Sequence, residues 1–151
     1  MNISKVAIAS DHGGIALRKN IIAFLKEQKI DFEEFGPETK ESVDYPNLAF
    51  TVSEKVATGA VERGILVCGT GVGMSIAANK VHGIRCALVS DTFTAHATRE
   101  HNDSNVLALG ARVIGPGLAL DIVKLWLETD YEGGRHANRL SQIEQFENTQ
   151  S

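Results

Sequence analysis

Short apolar runs alternate along this chain with longer stretches whose apolar residues recur at helical spacing. "KVAIA" (Lys5 to Ala9) has the β-branched content and length of a first strand. After Gly14, Leu17, Ile21 and Leu25 fall at i, i+4 and i+8 with lysines between, which predicts one buried stripe on a helix. "DFEEF" (Asp31 to Phe35) alternates as a more exposed strand does, and the polar stretch from Gly36 to Pro46 is a loop long enough for a substrate contact. Pro46 suits a helix start, with Ala49, Val52 and Val56 as its apolar face. Gly64 to Val67 predicts a third strand, followed by a glycine loop and a helix through "MSIAANK". Arg85 to Val89 is a fourth strand, and Asp91 to Asn102 a helix that the Asp91 carboxylate caps. Val106 to Leu109 is a fifth strand, and Leu118 to Leu127 a further helix. Gly133 and Gly134 then break the chain before a last helix with Leu140, Ile143 and Phe146 at spacing three.

Short, continuously apolar strands are expected where helices cover both faces of a parallel sheet. The pattern therefore predicts an α/β fold: one domain over residues 1–151, a three-layer α/β/α sandwich around five parallel strands. No internal repeat, low-complexity tract or linker interrupts it. In open parallel sheets, ligands bind beyond the carboxyl ends of the strands. Asp11 and His12, Cys68 with its glycines, and Ser90 with Asp91 fall at such ends. The apolar face of the last helix, released by the two glycines, is suited to docking on a partner chain.

Composition narrows the function classes. With 151 residues, 43% hydrophobic and 23% charged, the chain has the make-up of an ordinary globular domain. A net charge of -4 argues against a general nucleic-acid binder. Cys68 and Cys86 form no CxxC pair, so neither a zinc scaffold nor a disulfide framework is expected. His96 and His101 are five apart, not at the i, i+4 spacing of a helical metal pair, and no carboxylate cluster is expected to accompany them. No metal is expected. The N-terminus reads as a strand rather than a signal peptide, and no apolar run approaches the roughly 20 residues that span a bilayer. A reducing cytoplasm is the expected location, with no membrane partner.

The chemistry concentrates in "CGTGVGM". A dinucleotide fingerprint needs a third glycine where Met74 stands, and a P-loop needs a GK followed by Ser or Thr, which is missing. What remains is a backbone freed by Gly69, Gly71 and Gly73 to turn tightly and aim N–H groups at an anion, next to a helix start. Such fields favour a thiolate and bring cysteine pKa values to about 3.5–7.5. Cys68 thus reads as a base or nucleophile, against the plainer alternative of a small buried apolar residue; for Cys86, mid-strand, the plainer reading is preferred.

Taken in order, "SDHGG", "DYP", "CGTGVGMSIAANK", "EHNDSNVLALGARV" and "YEGGRH" resemble the ribose-5-phosphate isomerase B family, from about Lys5 to Arg139. Allose-6-phosphate and galactose-6-phosphate isomerases belong to the wider group. The resemblance implies a Rossmann-like five-stranded sheet, no metal or other cofactor, a sugar-phosphate substrate, and a homodimer or tetramer whose active sites draw on both chains. It implies Cys68 as the base moving a proton between C2 and C1. Thr70 and the backbone of Gly69, Gly71, Val72 and Gly73 would hold the enediolate. His101 would open the ring with help from Asp11, and Asn102 would hold hydroxyls. His12, Arg112, Arg135 and Arg139 would bind phosphate, and Tyr45 would contact the sugar. Family members that replace the cysteine carry a glutamate where this chain has Met74, so the chain resembles the cysteine type. The intact "HND" segment favours the pentose reaction over the galactose one.

Plainer readings stand beside these. Arg135 and Arg139 are also what a solvated helix face carries, Tyr45 is also a loop-packing residue, and His136 a neighbour of the basic cluster. Three further functions remain in view: a six-carbon isomerase, a non-catalytic sugar-phosphate sensor on the same fold, and a Cys–His acyl hydrolase.

Overall fold

The computed structural model describes residues 1–150. Strands β1 (Lys5–Ser10), β2 (Asp31–Phe35), β3 (Arg63–Cys68), β4 (Cys86–Leu88) and β5 (Val106–Gly110) form one parallel sheet in the order β2-β1-β3-β5-β4. They alternate with α1 (Ile15–Glu27), α2 (Pro46–Ala57), α3 (Val72–Ala78), α4 (Thr92–Asn102), α5 (Pro116–Glu128) and α6 (Arg135–Asn148). Leu17, Ile21 and Leu25 of α1 pack with Ile122 and Trp126 of α5 and Ala95 of α4 on one face of the sheet. Ala49 and Val52 of α2 pack with Met74 and Ala77 of α3 on the other. Burial on both faces explains why β1, β3 and β5 are continuously apolar rather than alternating.

The chain leaves β1 toward one face and the adjacent β3 toward the other. Divergent exits from neighbouring strands open a crevice at their carboxyl ends, the usual ligand position in such sheets. Asp11 follows one of the two strands that flank it, and Cys68 ends the other.

Element bounds differ from the pattern reading at several places: the helix read through "MSIAANK" is Val72–Ala78, beginning inside the glycine loop, and the fourth strand and fifth helix also shift. The fourth strand covers only Cys86–Leu88, because side chains replace ladder bonds around it. Arg85 N–H donates to Asn105 Oδ1 at 2.8 Å, and the Asn79 amide bonds both the N–H and the carbonyl of Cys86 at 2.8 and 3.0 Å. A side-chain amide thus blunts the exposed edge of the sheet. The fifth helix starts at Pro116 rather than Leu118, and Leu118 itself is exposed. Asp91 caps α4 as expected, accepting from Thr94 N–H at 2.7 Å.

Candidate active site

At the crevice, Cys68 is the last residue of β3, and its carbonyl accepts from Ala111 N–H at 2.9 Å while Gly69 O accepts from Arg112 N–H at 2.9 Å. These bonds fasten the glycine loop to the segment after β5. Gly71 adopts φ +80, a region that suits glycine, and this turn aims its N–H at Cys68 Sγ, 3.2 Å away. Val72 N–H donates to Thr70 Oγ1 at 3.3 Å. Two of the amides expected to face a ligand therefore orient Cys68 and Thr70. Cys68 is buried apart from a 6% opening, whereas Thr70 is exposed.

Asp11 follows β1, its N–H tied to Val67 O at 3.2 Å, and its carboxylate accepts from Gly13 N–H at 2.9 Å. Gly13 in turn lies against Gly69, so the two loops touch. His12 begins a single 3₁₀ turn, and its Nδ1 accepts from Val43 N–H at 3.2 Å, which fixes the ring tautomer as Nε2–H and pins the long polar loop. Tyr45, at the start of α2, lies so close to Gly73 that any side chain there would collide with its ring. The Arg112 side chain passes within 3.5 Å of where a Cβ on Gly69 would sit. Asp11, His12, Tyr45, Cys68, Thr70 and Arg112 thus gather at one mouth.

Pattern reading missed the residue that supports this mouth. Arg18, fully buried on α1, donates to Ser10 Oγ (2.8 Å), Glu34 Oε2 (2.9 Å) and Pro37 O (2.6 Å), tying β1, β2 and the polar loop together. One arginine inside an otherwise apolar helical stripe was its only sequence signal.

His101, Asn102, Arg135 and Arg139 lie elsewhere. Helix α4 runs back across the sheet, so its last residues stand at the amino end of β5, where Asn105 O accepts from Gly64 N–H. Residues Val106 to Gly110 separate that edge from the Cys68 edge, about 13 Å at ~3.3 Å per residue. One chain does not bring His101 to Cys68. The second group is well held. Asp103 (φ +46) turns the chain after α4, and buried Arg99 donates to Asp103 Oδ1 (2.8 Å), Ser104 O (2.6 Å) and Thr129 O (3.2 Å). Arg135 and Arg139 are exposed one turn apart on α6.

Two expectations for this edge are corrected. His136 is not a mere neighbour of the basic residues: it is buried and stacks on His101, with ring centroids 4.3 Å apart. Carboxylates do accompany the histidines. Glu100 pairs with His96 Nδ1 at 2.5 Å, and Glu132 lies 3.4 Å from His136 Nε2. The Glu132 N–H bond to Glu100 O brings a distant loop onto α4, which local spacing does not show. Cys86, read as a small buried residue, is half-buried on the edge strand, and that burial pushes its thiol up to about 12. Leu140, Ile143 and Phe146 leave much of the α6 face uncovered, with Ile143 and Phe146 at 59% and 68% exposure.

The sequence model of the family described as Ribose/Galactose Isomerase matches residues 6–143. YwlF of Bacillus subtilis, whose name assigns it provisionally to the sugar phosphate isomerases, is 59% identical over 144 residues, 95% of this chain and 97% of that protein. Ribose-5-phosphate isomerase B of Escherichia coli is 47% identical over 145 residues, covering 96% and 97%. The solved structure of Clostridium thermocellum ribose-5-phosphate isomerase B matches with a TM-score of 0.95 at 50% identity, covering 97% of this chain and 99% of that one. Among the described residues, no helix is long and apolar enough to cross a membrane.

Proposed function

The chain belongs to the ribose/galactose isomerase family, and from that premise we propose that it interconverts ribose 5-phosphate and ribulose 5-phosphate at a site shared by two copies of the chain. The observation that carries the reading is Cys68 at the crevice, with an amide donor on its sulfur and Asp11, His12 and Thr70 beside it. The split between this group and His101 supports sharing, since the two sets meet only if a second copy presents its own His101 edge.

Aldose–ketose isomerisation needs no external electron acceptor, because oxidation at C2 is matched by reduction at C1. Proton carriers suffice. His101 serves the ring oxygen and the anomeric hydroxyl in turn, assisted by Asp11. The Cys68 thiolate takes the proton from C2 and returns it to C1 of the same substrate. Between those events the enediolate oxygen is negative, and the amides of Gly69, Thr70 and Gly73 with the Thr70 hydroxyl hold it. One such prearranged donor contributes about 2.7–4 kcal/mol to the transition state. His12, Arg112, Arg135 and Arg139 take the phosphate, whose binding keeps the carbons in register. Tyr45 and Asn102 hold sugar hydroxyls. Phosphorylated sugars do not leave through a bilayer, so this reading places the enzyme in the cytoplasm.

A coupled assay on ribose, allose and galactose phosphates tests the substrate, with kcat/KM expected to be highest for the pentose. A greater value on a six-carbon sugar would overturn that choice. Cys68→Ala should lower kcat by at least about 10²–10⁴-fold with the fold intact by circular dichroism. Undiminished turnover in that variant would remove Cys68 as the base.

A further inference from the structure

One ligand-type atom from each of His101, Glu132 and His136 lies within 4.8 Å of the other two. These residues come from the last turn of α4, the loop after α5 and the first turn of α6. Their backbones are anchored: Glu132 N–H donates to Glu100 O and His136 N–H to Gly133 O, both at 3.1 Å. The His101 and His136 rings are nearly parallel, 22° apart. A second observation singles out the cluster. His136 is only 6% exposed, yet its Nε2 has no hydrogen-bond partner, and Glu132 Oε2, the nearest carboxylate oxygen to it, is 3.4 Å away. A buried polar nitrogen left unbonded is costly, so this lone pair or N–H lacks something the site is shaped to accept.

We propose that His101, Glu132 and His136 form a binding site for a divalent transition-metal ion of the zinc type, and that the bound ion switches isomerisation off by occupying the His101 ring nitrogen. The second half rests on the ring-opening role given to His101 above. Two imidazoles and a carboxylate are a donor set that zinc accepts with a fourth position left open. Bonds of about 2.0–2.2 Å in a tetrahedron set ligand atoms ~3.3 Å apart, and an ion lies near the plane of each imidazole it binds, so the cluster must tighten: Glu132, 51% exposed, has room to swing inward, and the half-buried His101 ring must turn out of its stack on His136.

The test uses full-length protein freed of metal with a chelator. Zinc is titrated by calorimetry and cobalt by its visible spectrum, and turnover of ribose 5-phosphate is followed in parallel. The expected result is one ion per chain, a tetrahedral cobalt band without sulfur charge transfer, and inhibition that a chelator reverses. Glu132→Gln should keep the metal-free turnover and weaken zinc binding at least about tenfold. Cys68→Ser should bind zinc as the parent does. Equal zinc affinity in the parent and Glu132→Gln, or binding lost in Cys68→Ser instead, would overturn the site. Zinc bound at the cluster with turnover unchanged would overturn the switch. His101→Asn separates the two readings: normal turnover in that variant removes the ring-opening role and the switch with it, while zinc titration of the parent against Glu132→Gln still reports the metal site.

Discussion

Cys68 and Cys86 carry one side chain into two environments. At Cys86 burial outweighs everything else and holds the thiol protonated, with its pKa pushed up to about 12. At Cys68 the sulfur accepts an amide N–H at the mouth of the crevice. Native protein treated with iodoacetamide at pH 8 should therefore remain unmodified at Cys86, read by peptide mass spectrometry, and Cys86→Ala should keep its turnover. Rapid labelling of Cys86 would contradict the burial argument. Arg135 serves a remote phosphate in the proposed reaction, so Arg135→Ala should raise KM for phosphorylated sugars more than it lowers kcat. An unchanged KM would remove it as an anchor.

Among the elements, β1, β2, α1 and the polar loop are joined by the Arg18 and Lys19 network. Burial would raise the pKa of Glu34, but its hydrogen bond with Lys19 and the charges of Lys19 and Arg18 outweigh that and lower it. A carboxyl with a depressed folded-state pKa stabilises the fold above its ordinary value of about 4.3, and that stability fades as pH falls through the folded-state value. Urea unfolding should thus show parent stability declining more steeply than that of Glu34→Gln between about pH 5 and 3. Parallel curves would mean that the network does not couple to folding. Arg63 does comparable work at the other end of the sheet, donating to Trp126 O at 2.6 Å and Leu127 O at 3.3 Å, which caps the carboxyl end of α5. Burial lowers its guanidinium to about 10, still charged at neutral pH.

On the scale of the whole molecule, the decisive feature is the separation of the two groups by the length of β5. If a site takes Cys68 from one copy and His101 from another, two defective chains can complement each other. Cys68→Ala and His101→Asn should each be inactive alone. After subunit exchange the mixture should recover up to about a quarter of parent turnover, because half of the pairs carry one intact site in two. No recovery after proven exchange would place the whole reaction within one chain. The exposed Ile143 and Phe146 on α6 sit on the same side as His101, where such a pairing would cover them.

Local chemistry made much of this legible in sequence. Apolar runs marked β1, β3 and β5 because both faces of the sheet are covered there, alternation marked the more exposed β2, and the glycines around Cys68 marked the turn that only they permit at Gly71. The Asp91 cap, the start of α2 at Pro46 and the break at Gly133 and Gly134 were equally local. Tertiary structure decided what depends on residues far apart in the chain: Arg18 as the support of the loop, the Asn79 clasp on β4, and the meeting of Glu132 and His136 with His101. It also decided that His101 and Cys68 stand at opposite edges. A helix that crosses a sheet returns its carboxyl end to the far side, and that consequence of topology is invisible to any pattern of spacing.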